Sequence, residues 1–161
     1  MERENKVSHV SDSGQACMVD VGDKSATDRT ARAEAVVCLG TALAARLGDI
    51  GSVAKGNVLE TARLAGIMAA KRTAELIPLC HQIPLDVVEV TASLDADSVR
   101  LESRVRCRHV TGVEMEAMTA VSVAALTVYD MCKAAGKGIR IEHIRLLEKT
   151  GGKSGDWKAD T

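Results

Sequence analysis

At 161 residues the chain is one domain's length, with enough apolar sequence to fold around its own core. Hydrophobic residues make up 46% and charged residues 27%, and the formal net charge of −1 provides no global field to draw the chain onto nucleic acid or an anionic membrane. One Trp, one Tyr and no Phe exclude base stacking as a binding mode and leave the core to Ala, Val, Leu, Ile and Met.

The five cysteines (Cys17, Cys38, Cys80, Cys107, Cys132) are odd in number, scattered and without C-x-x-C spacing, and no signal-like apolar stretch opens the sequence. Free thiols in a reducing cytoplasm are therefore expected. No apolar run approaches the roughly 20 residues that span a bilayer, so no membrane partner is expected.

In chain order, residues 1–17 are polar and aperiodic and read as a flexible arm. A single domain is expected over 18–158, and 159–161 form a short tail. Organisation begins at Met18-Val19-Asp20-Val21. Over 32–47 the pattern is mixed: Ala33, Ala35 and Val37 alternate with Glu34 and Val36 as in a strand, whereas 41–47 read as a helix ended by Gly48. Asn57, with Glu60 three residues on, is a capping-box start for a helix running to about Ile77 and stopped by Pro78. Its apolar residues are Leu64, Ile67, Met68 and Ala70; Lys71 and Glu75 on the other side are spaced to pair. Residues 86–94 and 98–107, rich in β-branched side chains and joined by a polar turn, read as a hairpin. A long Ala-rich helix over 113–135 and a last strand over 139–147 complete an α+β sandwich of helices on one antiparallel sheet.

Four clusters carry candidate chemistry. Leu79-Cys80-His81 follows the helix-ending Pro78, where an imidazole on a turn can meet a ligand; a histidine bonded to nearby backbone is the plainer alternative. Cys80 reads as a small packed residue, since adjacent residues rarely chelate one metal ion. Glu114, Met115 and Glu116 open the long helix, where carboxylates favour the dipole and also match the N–H edge of a guanine-like ring. Asp130 and Lys133, three apart near the other end, share a face as an acid–base pair or a surface ion pair. Lys149-Thr150-Gly151-Gly152-Lys153-Ser154-Gly155 looks like a phosphate loop, but Leu147 stands where the Walker pattern needs Gly, and no helix follows.

Together these stretches resemble the cyclic pyranopterin monophosphate synthases of molybdenum cofactor biosynthesis. The likeness runs from Met18 to about Lys158 and includes Ala31-Arg32-Ala33-Glu34-Ala35, Lys55-Gly56, Ala69-Ala70-Lys71-Arg72-Thr73 and the four clusters. Departures are Gln82 for the usual Pro, Asn57 for Asp, and Arg108-His109-Val110 for Thr-Gly-Lys. The resemblance implies a ferredoxin-like fold, a homohexamer built as a trimer of dimers, and a cyclo-dihydro-GTP substrate. Cyclic pyranopterin monophosphate and pyrophosphate are the products, with no metal and no organic cofactor.

On this reading Asp130 is the central acid or base, with Lys133 and Lys55 as partners whose ammonium pKa falls when other cations crowd it. Arg29, Lys71, Lys149 and Lys153 neutralise a triphosphate of about four negative charges. Leu79, Cys80 and His81 line one side of the pocket, and Met115 and Glu116 read the purine edge; Glu114 and Asp20 also contact substrate. Glu116 and Asp130 are fourteen residues apart on one helix, about 21 Å, so a site using both is expected to be shared between two subunits. The rival readings are a non-catalytic nucleotide sensor on the same scaffold and a Cys/His metal module.

Overall fold

The computed structural model describes residues 9–11, 13–50, 57–153 and 155–160, so Lys55 and Gly56 lie outside the described residues. The elements are β1 (Thr27–Cys38), α1 (Thr41–Ile50), α2 (Val58–Ala70), α3 (Thr73–Leu76), β2 (Val87–Leu94), β3 (Ser98–His109), α4 (Glu114–Cys132), β4 (Arg140–Thr150) and β5 (Trp157–Lys158). The sheet order is β2-β3-β1-β4-β5 with every neighbour antiparallel. With α2 joining β1 to β2 and α4 joining β3 to β4, this is the βαββαβ ferredoxin-like sandwich, extended at one edge by β5.

Strand alternation sorts the sheet into two unlike faces. Ala31, Ala33, Ala35 and Val37 of β1 and Val99, Leu101, Val105 and Cys107 of β3 are buried under the helices with Ala117, Val121, Ala124, Ala125 and Val128 of α4. The opposite face carries charge. Glu34 is only 4% exposed and accepts hydrogen bonds from Arg145 (2.7 Å), Arg100 (2.8 Å) and His143 (3.2 Å). Burial alone would raise its pKa, but the Arg145 and His143 hydrogen bonds and the Arg145 and Arg100 charges together hold it below the usual carboxylate value. Like charges stand directly opposite at Arg32↔Arg104 and Glu34↔Glu102, an unfavourable register. Diagonal pairing relieves it, through Arg32–Glu102 at 3.0 Å and Arg100–Glu34 at 2.8 Å.

The helix expected to reach Ile77 is broken. α2 ends at Ala70, the backbone turns through Lys71 and Arg72, and the buried Thr73 hydroxyl donates to the Ala70 carbonyl as α3 begins. Asn57 caps as expected, its Oδ1 accepting from Glu60 N at 3.0 Å, but the Glu60 carboxylate is taken by Arg63 rather than closing the box. Lys71 and Glu75, on either side of the break, are both exposed and form no ion pair with each other.

The buried face of α2 is also not its bulky one. Val58, Ala62, Gly66, Ala69 and Ala70 are buried, while Leu64 and Met68 are about half exposed. Small residues win because α2 lies close on α4: a Cβ at Gly66 would sit 2.9 Å from the Ala120 carbonyl and 3.2 Å from Val90. Toward the N-terminus, among the described residues, Val10 bridges Ala16 and Cys17 N donates to the His9 carbonyl.

Gly66→Ala should gain about 1 kcal/mol of helix propensity but lose about 1–3 kcal/mol by forcing α2 off α4. The expected net is destabilisation, read as a lower urea midpoint at unchanged slope.

Candidate active site

A cleft of about 760 Å³ opens where the N-terminus of α4 meets the start of β1, the end of β4 and the segment after α3. The turn closed by Cys80 N on the Ile77 carbonyl, just past α3, carries Leu79, Cys80 and His81 into it. β1 contributes Arg29, α4 contributes Glu114, Met115 and Glu116, and β4 with the following turn contributes Lys149 and Lys153. Nine of the site residues read from the sequence thus face one cavity. A smaller cavity of about 380 Å³ shares His81 and Glu116 with it and adds Lys71, Thr73 and Gln82.

Glu116 is 4% exposed, in the first turn of α4. Burial pushes its pKa up to about 7; its own backbone N–H opposes the shift and the nearby Glu114 charge adds to it. Glu114 folds back over Gly112, occupying the space a Cβ there would need, and accepts from Lys149 Nζ at 2.9 Å. Lys149 therefore already has a counter-ion, which an incoming phosphate would have to share or displace. Cys80 has its thiol pKa raised by burial and by the Glu116 charge, which suits a packed lining residue rather than a thiolate nucleophile.

The remaining expectations fall elsewhere. Asp20 does not line the cleft, although Val19 and Val21 do; its carboxylate accepts from Gly22 N at 2.9 Å and makes a turn. Lys71 borders the smaller cavity, because the break after α2 turns it that way. Asp130 and Lys133 pair at 2.7 Å at the far end of α4, each 56% exposed and outside both cavities. Asp130 raises the Lys133 pKa by hydrogen bond and charge, so within this chain Lys133 is not lowered by crowding cations as expected. His9 and Lys24 line the cleft without having been singled out. Neither stands in a periodic stretch or a motif that would have marked it.

Among the described residues no three His, Cys, Asp or Glu side chains converge as metal ligands, and no helix is long and apolar enough to cross a membrane. The fold and cleft define a ferredoxin-like α+β domain built round a small-molecule site that mixes acids with cations. The chain belongs to the MoaC family, whose sequence profile matches residues 18–152. It is 58% identical to a cyclic pyranopterin monophosphate synthase of Bordetella avium (strain 197N) over 156 residues, 96% of each chain. A synthase of the same name from Chloroflexus aurantiacus is 52% identical over 98% of this chain and 97% of its own. The molybdenum cofactor biosynthesis protein 1 of Drosophila melanogaster is 60% identical over 92% of this chain but only 26% of that longer protein.

The raised Glu116 pKa has a definite sign in stability. Between its ordinary value of 4.5 and about 7 the folded carboxyl keeps a proton that the unfolded one has lost, so stability falls as pH rises through that window. Glu116→Gln should flatten this slope, so that urea midpoints at pH 5 and pH 8 draw together in the variant. An unchanged slope would mean Glu116 titrates normally.

Proposed function

We propose that the chain is a cyclic pyranopterin monophosphate synthase that converts cyclo-dihydro-GTP to cyclic pyranopterin monophosphate and pyrophosphate in molybdenum cofactor biosynthesis. This is a phosphorus–oxygen lyase reaction. The observation that carries the reading is the convergence of Arg29, His81, Glu116, Lys149 and Lys153 on one cleft, in a chain so similar over its length to synthases of that name. Five free cysteines fit a reducing, cytoplasmic setting. The catalytic domain is taken as 18–158.

The reaction opens the five-membered ring of the purine, closes the pterin and forms a cyclic phosphate as pyrophosphate leaves. Each stage moves protons, and a carboxyl titrating near 7 is protonated or not at almost equal cost at neutral pH. Glu116 and Met115 meet the purine edge, where Glu116 can donate as an acid or accept ring N–H groups as a carboxylate. Arg29, Lys149 and Lys153 take the triphosphate and stabilise the departing pyrophosphate, with Lys149 exchanging Glu114 for phosphate oxygen. Lys71 and His81 extend the site through the smaller cavity. Asp20 acts at one remove, through the turn it makes beside Val19 and Val21.

Asp130 and Lys133, with Lys55, are the proposed proton-transfer groups, and they enter the cleft of a second protomer. Three features support this for Asp130 and Lys133: the pair lies at the opposite end of α4 from Glu116, both are exposed, and the same helix layer leaves Leu64, Met68, Leu126 and Tyr129 between 40% and 58% exposed. Such side chains gain most by being covered by another copy. The assembly implied is a dimer that completes each site, repeated threefold as a hexamer, with small molecules and no nucleic acid as partners.

Purified protein should turn over cyclo-dihydro-GTP, yielding pyranopterin and pyrophosphate together, and folded Asp130→Asn and Lys133→Ala should each lose about 10²-fold or more of kcat. Binding of the nucleotide without turnover would instead favour a sensor. The shared site has its own check. Glu116→Gln and Asp130→Asn, each inactive alone, should regain activity when unfolded and refolded together, because mixed dimers contain one site with both groups intact. No recovery in mixed oligomers would confine the site to one chain.

A further inference from the structure

We propose that Gly152, with the turn that Asp156 ties down, is a positioning element that holds the Arg29 guanidinium at the phosphate end of the cleft. The inference rests on the proposed function only for the identity of the anion. Arg29 rises from β1 into the cleft and donates from Nη2 to the Val110 carbonyl at 3.2 Å, while its buried Nε has no acceptor among the described residues. A guanidinium carries five N–H donors, so the group is fixed at one corner with donor capacity unfilled. A partly buried cation in that state is stabilised by an arriving anion.

What fixes it from the other side is backbone. Gly151 and Gly152 are both left-handed, at φ of 88° and 81°. A Cβ at Gly152 would overlap the Arg29 guanidinium, and one at Gly151 would overlap the Asp28 carbonyl. Gly138 and Gly155 are also left-handed, yet a Cβ on either meets nothing within 4 Å. Conformation alone therefore explains those two glycines, whereas at Gly152 the missing side chain is also the space the guanidinium fills. Asp156 Oδ1 accepts from Gly151 N at 2.9 Å and Gly155 N donates to the Gly152 carbonyl at 3.2 Å, holding this backbone against Arg29.

The test is calorimetric titration of the full chain with inorganic pyrophosphate, beside steady-state kinetics, for Gly152→Ala, Asp156→Ala and Asp156→Asn in wild-type and Arg29→Ala backgrounds. Gly152→Ala and Asp156→Ala should each weaken pyrophosphate about tenfold, as should Arg29→Ala, the scale of one lost charge-assisted hydrogen bond. KM should rise, with any fall in kcat reflecting the share of Arg29 in stabilising the departing pyrophosphate. Asp156→Asn, which keeps an acceptor oxygen, should bind as wild type does. In the Arg29→Ala background the other substitutions should add nothing.

The proposal is overturned if wild type does not bind pyrophosphate, if the losses persist without Arg29, or if kcat falls while KM stays. Should Gly152→Ala fail to fold, the Asp156 pair carries the same test. Pyrophosphate binding without substrate turnover would count against the proposed function, and the calorimetric comparison would still decide this inference.

Discussion

The close seating of α4 on the sheet and on α2 is the constraint from which the rest follows. No aromatic ring enters the core, so layers meet through Ala31, Ala33 and Ala35 below and Ala117, Ala120, Ala124 and Ala125 above. Contacts between small side chains are individually weak, and their sum depends on short separations held over the helix length. The Ser103 hydroxyl, donating at 2.8 Å to the Ala117 carbonyl, ties β3 to the first turns of α4. The first turn of α4 lies on the sheet, where Glu116 is buried at the cleft and Glu114 reaches Lys149 at the end of β4.

Two buried glutamates show how environment divides one side chain into opposite roles. Glu34, under two arginines and a histidine, stays ionised; the stability it contributes is present above the ordinary value of 4.5 and lost as pH falls through its lowered pKa. Glu116 has no cation in contact among the described residues and is pushed the other way by desolvation. The first is a structural anchor for the helix-free face of the sheet. The second sits buried at the cleft beside the N-terminus of α4, with its pKa raised to about 7.

The fold was legible wherever periodicity and local chemistry agreed: the hairpin of β2 and β3, the long α4, and the alternation of β1, which in fact runs twelve residues. Legibility failed where tertiary context decided. Leu64 and Met68 read as a core face, and only the near contact of Gly66 with Ala120 shows why small residues go inward instead. The break at Lys71 depends on a Thr73 hydroxyl bond that no spacing rule anticipates. In the cleft, motifs found His81, Glu116 and Lys149, because polar residues at element ends are conspicuous in any sequence, and the family resemblance supplied Arg29. They could not tell that Asp20 serves its own turn, nor that Lys149 already has Glu114 for a partner.

The short β5 adds an optical property to the molecule. Trp157 is the chain's single tryptophan, is 46% exposed, and pairs across the sheet with Lys149 of the cleft, immediately beyond the glycine turn. With one indole in 161 residues, emission excited at wavelengths beyond the absorption of the single tyrosine comes from one address. The protein thus carries a native fluorophore whose colour and quenching report the polarity beside its anion-facing loop, without an attached dye and without signal from elsewhere in the fold.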